Sequence, residues 1–323
     1  MRSLAIAVVL AFAGCGTSQA AVRADRPLGE DLVALVPSGA ELIIDVDVQQ
    51  LRTWDATERI LAMLPPAAKE RLERLGPHWL NDIDAAVVAA WHGDRGSESL
   101  LLLRGDLDDE HLAALLDPKA SRTELAGRAL FEANGQSVLR LASRLCVVGS
   151  PVDVRQVAEV IRGDLMGVRD ARADQPLRDA LARAPSAKHG RPAIVGAALG
   201  GTLLNERLES VNLGGRTPRW AAFAVAVGDG LDAVLILGQR SVDDATGLRD
   251  ELDHTLRDLK QRPIVRILKL GAAFDLAFAV KDKELHIAYR LAGNSLDAFL
   301  ARMDQGKQAL ETMRPQKGPP AGK

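Results

Sequence analysis

Two aspartates alternate with apolar residues in "LIIDVDV", residues 42–48. In an extended strand Asp45 and Asp47 would project from one side, about 7 Å apart by strand rise. Paired carboxylates at such a spacing can hold a hard cation or divide the roles of acid and base. The same alternation sets Leu42, Ile44, Val46 and Val48 on the other side, so the acids read first as the solvated face of a half-buried strand. A related apolar stretch, "AIVGAAL" at 193–199, carries no acids, so the pair is not repeated. Asp45 and Asp47 stand as weak site candidates.

Other chemistry is thinner. In "GAALGGTLLNE" glycines lie between a strand and a helix, where backbone amides can cradle phosphate. The spacing fits neither the dinucleotide fingerprint nor the P-loop, and close strand-to-helix packing explains it better. The six histidines, His78, His92, His111, His189, His254 and His286, include no two at metal-ligand spacing on one element. No G-x-S-x-G elbow is present. Asp108-Asp109 and Asp243-Asp244 sit where acids favour the start of a helix. No catalytic residue, metal ligand or cofactor is assigned.

The elements that would position these residues recur along the chain. Ala34-Leu35-Val36-Pro37-Ser38 returns as Ala182-Arg183-Ala184-Pro185-Ser186, each after a short helical pattern and before an apolar strand. "LLLLRGDLDDEHLAALL" matches "AVLILGQRSVDDATGLRDEL" as strand, turn and amphipathic helix. The hairpin "RALFEANGQSVLRL", turning at Asn134-Gly135, matches "FDLAFAVKDKELHIAYRL", turning at Asp282-Lys283. Each half reads helix, strand, helix, strand, strand, helix, strand, strand, helix. The second helix of the first half is long and interrupted at Pro65-Pro66. In the second half Ser241 and Asp244 cap a helix whose Leu248, Leu252, Leu256 and Leu259 form one face up to Pro263.

This layout predicts an α+β protein made of two tandem copies of an α/β unit, each an antiparallel or mixed sheet with helices on one face. The units are expected at 30–165 and 175–306, with a polar linker at 166–174 and a disordered Pro/Gly/Lys-rich tail at 307–323. Separate domains and one continuous pseudo-symmetric sheet both fit.

The chain has 323 residues, 47% hydrophobic and 26% charged, with a net charge of -2. That is ample for a large core and gives no bulk field to steer nucleic acid. Aromatics at 3% supply few stacking surfaces for bases or sugars. Nucleic acid is not an expected partner.

At the start, Arg2, the apolar run Leu4 to Ala13 and the small residues Gly14-Cys15-Gly16 read as a secretory signal, too short to span a bilayer. Phe12-Ala13-Gly14-Cys15 resembles the lipobox of bacterial lipoprotein precursors. That resemblance implies a signal peptide at 1–14, acylation of Cys15 with diacylglycerol and palmitate, and a lipidated tether at 15–29. With Gly16 after the cysteine, it implies delivery to the outer membrane, facing the periplasm. An ordinary signal cleaved after Ala20, at Ser18-Gln19-Ala20, is the competing reading. The other cysteine, Cys146 in "LCVVG", reads as a small buried hydrophobe of a strand.

The leading functional expectation is therefore a non-enzymatic lipoprotein, tethered to the membrane by its N-terminal lipid and binding a protein partner in the envelope. A carrier of an apolar ligand between sheet and helices, and a hydrolase whose site only the fold assembles, are the alternatives.

Overall fold

Runs of β-branched and small apolar residues build strands that the turns fold back on one another. The computed structural model describes residues 31–62, 79–93, 96–117, 119–184, 191–208, 216–263, 266 and 275–312. The signal peptide at 1–14, Cys15 and its tether, the Pro65-Pro66 interruption and the end of the tail, 313–323, lie outside them.

The first half runs from a 3-10 turn, Leu32–Leu35, through β1 (Leu42–Asp47), α1 (Val48–Arg52), α2 (Thr57–Ala62), α3 (Trp79–Asp82), β2 (Ile83–Gly93) and β3 (Gly96–Gly105). It continues with α4 (Asp109–Ala114), β4 (Ser121–Leu125), β5 (Arg128–Ala133), β6 (Gln136–Ala142), β7 (Leu145–Gly149) and α5 (Pro151–Arg162). The second half holds α6 (Gln175–Ala182), β8 (Ile194–Leu199), α7 (Thr202–Leu208), β9 (Trp220–Val227) and β10 (Gly230–Gly238), followed by α8 (Val242–Gln261), β11 (Leu276–Lys281), β12 (Glu284–Ala292) and α9 (Gly293–Thr312). The fold is α+β.

The strands of the described residues join one 12-stranded antiparallel sheet in the order β11-β12-β10-β9-β8-β1-β2-β3-β7-β6-β5-β4. The halves meet where β1 pairs with β8, Ile44 opposite Gly196. Residues 166–174 run back along the first half: the Val168 amide donates to the Val36 carbonyl at 2.8 Å, and the Gly39 amide donates to the Asp174 carboxylate at 3.0 Å.

Helices cover both faces of the sheet, not the single face that alternation predicts. On one face Ile43, Val87, Leu102, Leu139, Val147 and Ala197 pack under the 3-10 turn, α5 and α6, through Val33, Val157, Ile161 and Leu177. On the other, Ile44, Val88, Leu103, Val138 and Cys146 meet Leu80 of α3 and Leu112 of α4. That second face continues into the other half, where Leu204, Leu248 and Leu252 cover Leu237, Leu285 and Ile287. Leu296 and Leu300 of α9 pack near Leu291. A central strand closed on both sides reads as continuously apolar, and Ile43 and Ile44 are both buried.

Local chemistry fixes the ends. Ser150 and Asp153 form a reciprocal capping box with Pro151 in the first turn, and Gly163 closes α5 with a left-handed φ of 77°. Asn134 and Gly135, at φ 52° and 75°, make the two-residue turn that the right-handed twist of β5 and β6 requires. Ser241 caps α8 by accepting from the Asp244 amide at 3.0 Å.

Candidate functional site

Asp45 and Asp47 occupy the end of β1 beside β2 and β8, Asp45 level with Val87 and Val195. They have separate surroundings. Asp47 caps α1, its Oδ1 accepting from the Gln50 amide at 3.0 Å, with Arg191 3.8 Å from its Oδ2. Asp45 reaches solvent between charged neighbours. Partial burial pushes its carboxyl above the usual carboxylate range; Asp31 and Asp47 push the same way, while Arg169 and Arg104 pull it down. Asp31 is itself engaged, accepting from Arg169 Nε at 2.9 Å and from the Val33 amide at 3.0 Å. Among the described residues, no group of three or more histidines, cysteines, aspartates or glutamates could hold a metal ion.

The histidines are dispersed. His111 bonds Asp108 at 2.9 Å on the surface, His254 lies 3.6 Å from Asp258 along α8, and His92 is exposed on β2. His286 pairs with Glu284 at 3.1 Å, and Glu284 also accepts from Arg183. Arg183 in turn lies over the Trp220 ring, 5.2 Å from its centroid. His78 and His189 are outside the described residues. Asp108 caps α4 through the His111 amide, which holds its carboxyl below the usual range, and Asp109 pairs with Arg122 and Arg140, each at 2.8 Å.

The glycine-rich turn between β8 and α7 borders a pocket of about 480 Å³. Its wall is built from four places: Pro176 of α6, Leu199 to Gly201 and Asn205, Thr217 to Arg219 entering β9, and Arg240 leaving β10. The strand ends are tied together here, the Gly200 amide donating to the Arg219 carbonyl at 2.6 Å and the Arg219 amide to the Gly238 carbonyl at 2.8 Å. A Cβ on Gly200 would stand 2.4 Å from the Pro218 carbonyl oxygen, so this glycine permits close approach of the chain entering β9, not of a helix as read from the sequence. The arginines were not legible beforehand, because nothing in a linear chain marks Arg219 and Arg240 as neighbours. The smaller gap at Leu103, Leu107, Arg140 and Cys146 leaves no room for a water molecule.

No protein-family model matches the chain, and no curated protein sequence matches it. Crystal form III of TP0453 superimposes on it with a TM-score of 0.50, covering 85% of this chain and 99% of TP0453 at 12% identity. The chain shares the TP0453 fold. Crystal form I of TP0453 gives a TM-score of 0.49 at 13% identity, covering 85% and 98% of the two chains. Because the form III match covers 85% of this chain, the likeness to TP0453 takes in both halves of the sheet; at such identity it speaks of fold alone.

Proposed function

We propose that this chain is an exported lipoprotein, processed before Cys15, acylated on that cysteine and held at the periplasmic side of the bacterial outer membrane, where its body acts as a non-enzymatic binding or assembly protein for an envelope partner. The single observation that carries this reading is the stretch from Leu4 to Cys15, an apolar run broken by small residues at a cysteine. Several buried acyl chains, each contributing about 0.8 kcal/mol per methylene, give stable anchoring. A binding role fits the carboxylates: Asp47 is taken up by a helix cap, and Asp45 stands among Asp31, Asp47, Arg169 and Arg104 with no histidine beside it in the described structure. The apolar-carrier reading has less support, since the larger pocket opens at a sheet end bearing two arginines.

We further propose that the body arose by duplication, with units at 30–165 and 175–306. The order β1-β2-β3-β7-β6 parallels β8-β9-β10-β12-β11 about the antiparallel β1–β8 pair, with β4–β5 as an added hairpin, so β6–β7 takes the place of β11–β12 and not the β5–β6 hairpin matched in the sequence. The match is incomplete, since α5 and α9 pack on opposite faces.

Fractionation tests the anchoring. Native protein should sediment with the outer membrane, and Cys15→Ala should not be retained there as a lipid-modified species. Equal release of native protein and variant into the soluble periplasm would overturn the reading.

A further inference from the structure

The pocket at the β8–α7 turn has the make-up of an oxyanion site. Arg219 and Arg240 border it from adjacent strand ends, and among the described contacts neither forms an ion pair. Elsewhere the chain's arginines are commonly paired, as in Arg52–Asp84, Arg144–Asp84, Arg140–Asp109 and Arg169–Asp31. Both residues are exposed, and a guanidinium can hold a phosphate or carboxylate through two parallel hydrogen bonds. Thr217 and Asn205 add a hydroxyl and an amide, and Leu199, Pro176 and Pro218 supply an apolar wall. A volume of about 480 Å³ suits a small organic molecule better than a bare ion.

Gly201 is the second observation. Unlike Gly200, it is not required by packing: a Cβ there would meet nothing nearer than the Glu41 carboxylate, at 3.4 Å, and its backbone needs no left-handed φ. Gly201 borders the pocket, and a Cβ at this position would be admitted by the protein. Behind it Glu41 Oε2 is buried without a hydrogen-bond partner among the described residues.

We propose that this pocket binds a small soluble organic oxyanion, a phosphate monoester or carboxylate, with its charge on Arg219 and Arg240 and its apolar part against Leu199 and Pro218. The inference does not depend on the anchor at Cys15, and either can fail alone.

Calorimetric titration of the mature, detergent-purified protein with phenyl phosphate, benzoate and phenol tests it. Saturable one-to-one binding of phenyl phosphate or benzoate, with phenol at least tenfold weaker, is expected. The double variant Arg219→Ala/Arg240→Ala, at two exposed positions, should weaken oxyanion binding at least tenfold. Gly201→Leu should do the same in a protein that stays folded, with a loss of about 1 kcal/mol at the start of α7, where the Gly201 carbonyl accepts from the Asn205 amide, and Gly201→Ala should have a smaller effect on binding in the same direction. Arg191→Ala, at the other end of β8, should leave binding unchanged. No saturable oxyanion binding, equal binding of phenol, or binding that survives either the arginine pair's removal or Gly201→Leu in a folded protein would overturn the proposal.

Discussion

Ile44 of β1 lies directly opposite Gly196 of β8, and the Phe223 ring fills the space where a Gly196 side chain would stand, 2.4 Å from an ideal Cβ. This pair is the seam between the halves of the sheet. Gly196→Val should force the ring and the β8–β9 backbone apart and destabilise the protein by about 1–3 kcal/mol. Denaturant melts monitored by circular dichroism would measure the loss, and an unchanged midpoint would contradict the packing described at the seam.

One sheet also implies shared unfolding. Ile43, Val87, Ala197 and Ala222 come from both halves and belong to one core, so calorimetry should record a single main transition for the body. Two resolved transitions, one for each half, would contradict a common core.

The capping box of α5 has a pH signature. Burial pushes the Asp153 carboxyl above the usual range and Glu98 adds to the shift, while hydrogen bonds from Ser150 oppose it. The folded state therefore holds the proton more tightly than the unfolded state. The stability this group contributes is fully present below the unfolded carboxylate value of 3.8 and is lost as pH rises through the raised folded value. Asp153→Asn should flatten that part of the stability profile, read from urea unfolding between about pH 4 and about pH 7. Ser150→Ala should cost about 1 kcal/mol, and more toward the upper end of this range, because the Ser150 hydroxyl donates to the ionised Asp153 carboxylate. An unchanged pH profile in Asp153→Asn would remove the carboxyl from the account.

Cys146 faces the core, 3% exposed, and burial pushes its thiol up to about 12. With Cys15 acylated or removed, the mature protein should show no thiol reacting with a disulfide reagent at about pH 8 while folded, and one after denaturation. Rapid reaction of the folded protein would place Cys146 at the surface.

The two aspartates first singled out should behave differently. Asp47→Ala removes the cap of α1 and should cost about 1 kcal/mol. Asp45→Asn relieves the repulsion from Asp31 and Asp47, and should leave stability unchanged or slightly raised. Paired melts of the two variants distinguish these roles, and equal losses would mean that the aspartates act as a unit.

Much of the element order was legible because its signals are local. Asn134-Gly135 announced a turn, and Ser241 with Asp244 announced the start of α8. The second half follows the predicted succession of helices and strands. The first half holds two more strands. β4, "SRTEL", hides at the sheet edge, where exposed polar residues leave no apolar alternation to read. The two-sided covering of β1 was masked for a different reason: the aspartates in "LIIDVDV" implied one wet face, yet they interrupt it only at one end, where Ile43 is already buried beneath the 3-10 turn and α5. The pocket was illegible because four separated segments contribute to it. Its glycines could be seen in the sequence, but the arginines that give it charge could not be placed beside them.

The central claim concerns Cys15, and the most direct measurement is the intact mass of the protein extracted from membranes, beside a Cys15→Ala variant. The account predicts a native chain that begins at Cys15 and carries the added mass of a diacylglyceryl group and a further acyl chain, with no such addition in the variant. An unmodified native chain beginning at Ala21 would contradict it.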